Sequence, residues 1–297
     1  MKKGVVFYLQ LGFTLLVCAF LIVPVLMSIT AGLTNNYFVG ISSGLTLRWL
    51  IQVWDLYADT IWLTLLIALT TTLVNLCVGV PCAYYLARTR SRFSAWLDEC
   101  LTLPIAVPGM AIALGLLSVY GGFSALRMSW YFILIGHVVF TLPFMVKSVL
   151  AVLQSINFRI LEEGAASLGA GFWQRFFHVI VPNCKTGIIS GVLMTLTLSA
   201  GEFNLTWMLH TPLTKTLPVG LADSYASMRL EVSSAYTLIF LAMILPLLVA
   251  AQWFNRKPRT ALKHVVEEVG GPIDPARVCR FRSALVQALN DSSSKGR

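Results

Sequence analysis

Residues 60–86 read TIWLTLLIALTTTLVNLCVGVPCAYYL, a stretch without a single Asp, Glu, Lys or Arg. A helix crossing the hydrocarbon core of a bilayer needs about 20 apolar residues, and this run supplies them with length to spare for tilt. Similar runs lie at 8–30, 101–120, 131–153, 187–208 and 235–254. In lipid every backbone amide must be satisfied inside its own segment or in a closed barrel. The ten-residue apolar/polar alternation of barrel strands is missing, so the sequence reads as an all-α integral membrane protein with six transmembrane helices. Composition agrees. Of 297 residues, 57% are apolar and 12% charged, against about 45–50% and about 25% in soluble domains, and the mean hydropathy is +0.77. Such numbers exclude a soluble enzyme, a disordered chain and a disulfide-rich secreted scaffold.

The net charge of +9 reports topology. Its basic residues fall between hydrophobic runs, with no basic domain carrying interleaved aromatics, so no nucleic-acid partner is expected. Lys2, Lys3, Arg88, Arg90, Arg92, Lys147, Arg159, Arg175, Lys185 and the basic residues from 256 onward fall on one side of the six runs. Only Arg48, Arg127, Lys215 and Arg229 fall on the other. Positive loops stay in the cytoplasm, which predicts both termini inside and the segments 31–59, 121–130 and 209–234 outside. The first run follows Lys2 and Lys3 but exceeds the about 7–15 residues of a signal-peptide core, and it is expected to remain as an anchor. None of the six cysteines falls in an outer segment, so no disulfide framework and no metal site is expected.

Catalytic signatures are missing as well. There is no phosphate-cradling G-x-x-x-x-G-K-[ST], no H-E-x-x-H and no G-x-S-x-G, which points to a non-catalytic subunit without a cofactor. Inside the runs stand His137 and Glu202, neither with an obvious partner at helical spacing. His137 reads as a neutral, packed core histidine, because charge is rare in the membrane interior.

Between the fourth and fifth runs lies a patterned insert. Ile156–Leu168 is followed by a glycine break at Gly169 and Gly171, then Phe172–Ile180, then Pro182. Two short helices with a turn between them are predicted. Glycine supplies the positive φ of a tight turn, and Pro182 is expected to stop the second helix. Leu161, Ala165, Phe172 and Phe176 would need a partner surface. A helix pair lying on the bilayer, anchored by Phe172, Trp173, Phe176 and Phe177, is the other reading.

Glu163-Gly164-Ala165, then Gly169 and finally Val179-x-Val181-Pro182, resembles the coupling loop of ABC importer permeases. Its pattern there is Glu-Ala-Ala, three residues, Gly, nine residues and Ile-x-Leu-Pro. The spacing matches throughout, with Gly164 in place of Ala and valines in place of Ile and Leu. Leu103 to Gly109 and Gly201-Glu202-Phe203 are similar to members serving oxyanions, ferric iron, polyamines and phosphonates. Asn204 to Pro212 and Ala222 to Tyr225 are most similar to the 2-aminoethylphosphonate branch.

The resemblance covers roughly residues 5–257. It implies a multi-pass permease of the bacterial inner membrane, with a cytoplasmic coupling-helix loop between helices 4 and 5. Implied partners are a cytoplasmic ABC ATPase dimer, a second permease subunit, identical or not, a periplasmic solute-binding protein, and membrane lipid. Glu163, Gly164, Ala165, Gly169 and Pro182 would make the ATPase-coupling element. An ion-coupled secondary transporter is the main rival, but it would need internal repeats that the chain does not show.

The residues also suggest a transporter directly. Pro24, Pro81, Pro104, Pro108, Pro143 and Pro246 lie in or beside every run but the fifth. Each frees an upstream carbonyl, which is tolerated where neighbouring helices or a water-filled cavity take it up; proline is also simply commoner in membrane helices. Gly187 and Gly191 form a G-x-x-x-G face for close helix approach. Glu202 has two open readings, a group of the translocation path or a cap on neighbouring backbone. Asn204, Thr206, Asn75 and Thr141 are further candidates for the path. The domain division is a permease domain over 1–257 and a basic cytoplasmic tail over 258–297. In that tail Val278, Phe281, Leu285 and Leu289 recur at helical spacing, as a flexible extension or as a helix on the inner leaflet.

Overall fold

The computed structural model describes residues 4–89 and 91–255, and the tail predicted over 258–297 lies outside them. Among these residues the chain is helical, with one isolated antiparallel bridge between Thr34 and Leu45. In order, the helices are α1 (Val5–Gly32), α2 (Arg48–Arg88), α3 (Arg92–Ala106), α4 (Gly109–Tyr120), α5 (Ser124–Arg127), α6 (Trp130–Ser155) and α7 (Phe158–Ser167). They continue with α8 (Phe172–Arg175), α9 (Val181–Asn183), α10 (Lys185–Gly201), α11 (Asn204–Leu209), α12 (Leu217–Ala226) and α13 (Leu230–Asn255).

Four of these, α1, α2, α6 and α13, are long and apolar enough to cross a bilayer, with α2 kinked at Tyr57 (φ −134°, ψ 15°). Two further runs of the sequence are bent or broken. The run 101–120 turns by 107° between α3 and α4. Val107 is extended (φ −92°, ψ 130°), as a residue preceding proline prefers, and Pro108 (φ −57°, ψ 139°) then starts α4 in a new direction. The run 187–208, expected as one helix, ends at Gly201 and restarts at Asn204. Glu202 in between is extended (φ −71°, ψ 121°). Segment 209–234, expected as a connection, contains α12.

The centre is a trio of helices, α2, α6 and α10. Gly187 and Gly191 make the close approach that their spacing predicts, and α6 is the partner. A Cβ on Gly191 would stand 2.5 Å from Met145 Sδ, and one on Gly187 would stand 2.8 Å from the Ser148 carbonyl oxygen. One core cluster, with Val80, Tyr84, Met145, Val149, Phe158 and Phe176, closes the end nearest α7. Another, with Ile67, Ala113, Phe132, Ile133, Leu205 and Leu209, packs α11 between α2, α4 and α6. α1 leaves its apolar surface open, with none of its most apolar window buried.

Candidate functional site

The insert after α6 folds as two short helices around a glycine turn. Gly169 has φ +86°, its N–H donates to the Ala166 carbonyl at 2.9 Å, and Ala170 N–H donates to the Ala165 carbonyl at 3.1 Å. This pair of bonds closes the end of α7 and requires the left-handed conformation that glycine adopts without a Cβ clash. Gly171 N–H donates to Gln174 Oε1 at 2.9 Å, which opens α8. Pro182 does not stop the second segment as expected. Residues Phe176–Ile180 form a π turn, and Pro182 lies within α9 beyond it. The wider turn relieves the crowding that a proline ring imposes on the carbonyl four residues earlier.

Of the coupling residues predicted, Glu163, Gly164, Gly169 and Pro182 are exposed and Ala165 is half-buried. Leu168, at the apex beside Gly169, is 90% exposed. Phe176, expected to face a partner, instead packs against Tyr84 with ring centroids 5.5 Å apart.

The residue that ties this insert to the bundle is Glu162, which the sequence reading passed over. Its carboxylate accepts a hydrogen bond from the Tyr84 hydroxyl at 2.7 Å and lies 3.4 Å from Arg88 and 3.3 Å from Arg175. Arg159 donates to the Arg88 carbonyl at 2.9 Å. The last turn of α2 is thereby bonded to α7 and α8 from both sides. A weak signal was available: Tyr84 and Arg88 are one helical turn apart, on one face.

A second arrangement lies inside the bundle, at the α10–α11 break. Glu202 Oε1 accepts the Leu205 N–H at 2.9 Å, and Oε2 accepts the Thr206 N–H at 3.0 Å and the Thr206 hydroxyl at 3.1 Å. The first turn of a helix exposes unpaired N–H groups and partial positive charge, and the carboxylate answers both. At the other end Arg127 donates to the Leu209 carbonyl at 2.8 Å. A six-residue helix has no stability alone; α11 has a carboxylate at its start, a guanidinium at its end, and Leu205 and Leu209 buried between. The start of α4 meets the same carboxylate, since a Cβ on Gly109 would stand 3.2 Å from Oε1.

From Thr206 the polar contacts continue. His137 Nε2 lies 2.8 Å from Thr206 Oγ1, and Nδ1 lies 2.7 Å from Ser199 Oγ. With the Thr206 hydroxyl donating to Glu202, a consistent set of donors has Nε2–H donating to Thr206 and the Ser199 hydroxyl donating to Nδ1. Thr141 donates to the His137 carbonyl at 2.6 Å, and Asn75 Nδ2 donates to Thr141 Oγ1 at 2.7 Å. The structure therefore gathers four of the five path candidates, Glu202, Thr206, Thr141 and Asn75, into one buried hydrogen-bonded chain through His137. Asn204 is exposed and stands outside it. Glu202, expected to have no partner at helical spacing, has Thr206 four residues on, and His137 is linked to it through that residue's hydroxyl. Among the described residues no group of His, Cys, Asp and Glu side chains is arranged to hold a metal.

Comparison with known proteins follows the same lines. Residues 79–260 match the family described as the binding-protein-dependent transport system inner membrane component. The molybdenum transport system permease protein ModB of Azotobacter vinelandii is 31% identical over 56% of this chain and 80% of its own. PhnV of Salmonella choleraesuis strain SC-B67, named for 2-aminoethylphosphonate transport, is 27% identical over 82% of this chain and 94% of its own. The sulfate transport system permease protein CysW of Synechocystis is 28% identical over 63% and 74%. Among solved structures, a bacterial alginate ABC transporter aligns with a TM-score of 0.67 at 15% identity, over 85% of this chain and 94% of that one. An inward-facing MetNI methionine ABC transporter aligns at 0.58 and 15%, over 69% and 97%. At that identity the two share the fold.

Proposed function

Since the chain belongs to the binding-protein-dependent transport system inner membrane component family, a family of non-catalytic membrane permease subunits of ABC transporters, we propose that it is the permease subunit of an ATP-driven importer moving a small polar solute, 2-aminoethylphosphonate, across the inner membrane. The observation that carries the transport reading is the α7 turn. Its exposed apex, Leu168 beside Gly169, is built by two specific hydrogen bonds and covered by nothing in the described chain. In this reading it seats on a separate cytoplasmic ATPase dimer, with Glu163, Gly164, Ala165, Gly169 and Pro182 forming the contact. The four long helices and two bent pairs, α3 with α4 and Phe172–Asn183 with α10, allow up to six crossings, and the charge distribution supports both termini in the cytoplasm. A second permease copy or homologue completes the path, and a periplasmic binding protein delivers the solute.

The substrate rests on the breadth of the likeness. The PhnV relative aligns over 82% of this chain and the molybdenum relative over 56%. Loss of the chain from its host should abolish uptake of labelled 2-aminoethylphosphonate and spare molybdate and sulfate. A fall in molybdate or sulfate uptake instead would move the substrate to that oxyanion, and a fall in polyamine or ferric iron uptake would move it further. Uptake that continues when ATP is depleted but the proton gradient is kept would favour an ion-coupled carrier.

A further inference from the structure

The final turns of α2 border two adjoining cavities that the coupling role leaves unexplained. One, about 230 Å³, is lined by Arg88, Arg159 and Arg175 with Glu162, Glu163 and Ala166. The other, about 250 Å³, is lined by Pro81, Tyr84, Tyr85, Phe172, Trp173 and Phe176, with Arg88 again at its edge. A charged chamber and an aromatic slot thus share one arginine.

Donors exceed acceptors in the charged chamber. Each guanidinium carries five N–H groups. Tyr84, Arg88 and Arg175 all converge on Glu162 Oε1, so three guanidinium groups face two carboxylates, and Arg159 uses Nη2 on the backbone of α2. The Nε of Arg175 is buried without a hydrogen-bond partner among the described residues. Glu163, the other carboxylate, is exposed. The slot next to it is almost wholly apolar, and its outer wall is Trp173, 67% exposed and stacked on Phe177 at 5.9 Å. These features stand where the apolar run of α2 gives way to Arg88. That is the headgroup level, where tryptophan and arginine gather and where basic pockets beside spanning helices take anionic headgroups.

We infer that this end of α2 binds an anionic phospholipid, its phosphate in the arginine chamber and one acyl chain in the slot between α2 and α8. A free phosphate would fill the chamber and leave the slot bare; a zwitterionic lipid would bring the same phosphate together with a cation that the surplus arginine charge repels. The inference rests on the proposed orientation only for which leaflet supplies the lipid.

Native mass spectrometry of the purified complex in detergent tests it, with phosphatidylglycerol and phosphatidylcholine added in turn. Phosphatidylglycerol should be retained in preference. Removing one arginine, as in Arg159→Gln, should weaken that retention about fivefold, the equivalent of about 1 kcal/mol per basic residue at a membrane surface. Trp173→Ala, at an exposed position, should weaken both lipids with an unchanged melting temperature. Equal retention of the two lipids would overturn the inference. So would displacement by millimolar inorganic phosphate together with indifference to Trp173→Ala, which would mark a free-anion site. Loss of lipid on assembly with the ATPase would overturn it too, giving the chamber to the protein partner. The readout needs no transport, so it stands or falls apart from the proposed function.

Discussion

The carboxylate of Glu202 accepts the backbone N–H of Thr206 at 3.0 Å across a break in the helical chain. Of the two roles the sequence leaves open for this side chain, the structure shows the cap on the helix that starts after it. Broken helices whose N-termini point inward are a recurring way of building polar sites at membrane depth. Here α4 and α11 both begin beside the same carboxylate. Capping and lining the path are therefore compatible roles for Glu202, separable by substitution.

Glu202→Leu removes the acceptors of two buried N–H groups, at a cost of about 1–3 kcal/mol for each buried donor left without a partner. Folded protein in the membrane should fall. Glu202→Gln keeps one acceptor but turns an NH2 group toward a backbone N–H, so an intermediate loss is expected. Membrane abundance and melting temperature of the two variants check this order. Wild-type values for Glu202→Leu would remove the cap from the account, and wild-type abundance with altered uptake would leave only the path.

His137 bridges the two sides of the break, holding Ser199 before it and Thr206 after it. His137→Phe keeps the volume and loses both bonds, with an expected cost of about 1–3 kcal/mol. A double-mutant cycle with Thr206→Val isolates the shared contact. A coupling of at least about 0.5 kcal/mol is expected for residues in one network. Additive effects on stability would show that the histidine only fills space.

The apolar runs were legible because lipid imposes a single rule on the whole chain, and the G-x-x-x-G face was legible because close approach needs missing side chains wherever the partner lies. The breaks were not. Pro108 marked one in hindsight, but at Glu202 the capped residues Leu205 and Thr206 lie three and four positions on, the spacing of an unbroken helix, and the His137 that ties the break together comes from a different helix, which no spacing within one helix encodes. Glu162 was missed for the same reason. Its partners Tyr84 and Arg88 lie far off in the sequence, and the exposed Glu163 beside it carried the recognisable pattern. Pro182 read as a stop because proline ends ordinary helices, and a π turn is not visible in composition.

Glycines in the chain should respond to alanine according to their surroundings. At Gly187 a Cβ would meet the Ser148 carbonyl oxygen at 2.8 Å, and at Gly164 nothing lies within 4 Å. Gly187→Ala should push α10 away from α6 and destabilise by about 1–3 kcal/mol, as overpacking does. Gly164→Ala, in α7, should gain about 0.5–1 kcal/mol from helix propensity and restore the family's usual residue without loss of uptake. Thermal melts of both variants in detergent check the contrast; the opposite order would refute the close approach of α10 to α6.

The last prediction separates contact with the ATPase from attachment to the bundle. Gly169→Glu and Glu163→Lys alter exposed positions on the α7 turn, so in the proposed reading they should abolish uptake and ATPase association and leave membrane insertion intact. Gly169→Glu also forces a side chain into a left-handed conformation, which costs about 1–2 kcal/mol; Gly169→Asn, which tolerates that region better, serves as the control for backbone strain. Glu162→Gln should act differently. It leaves the exposed surface unchanged and keeps an acceptor for Tyr84, but removes the charge that holds Arg88 and Arg175. The ATPase should still bind, while substrate-stimulated hydrolysis falls, because the docked turn no longer moves as one body with α2. Association by pull-down and hydrolysis rate on the same reconstituted complexes distinguish the two classes. Normal hydrolysis in Glu162→Gln would show that the insert and α2 stay coupled without that charge, through the Arg159 bond to the Arg88 carbonyl and packing at Phe158 and Phe176. Normal association in Gly169→Glu would show that the turn is not the contact surface.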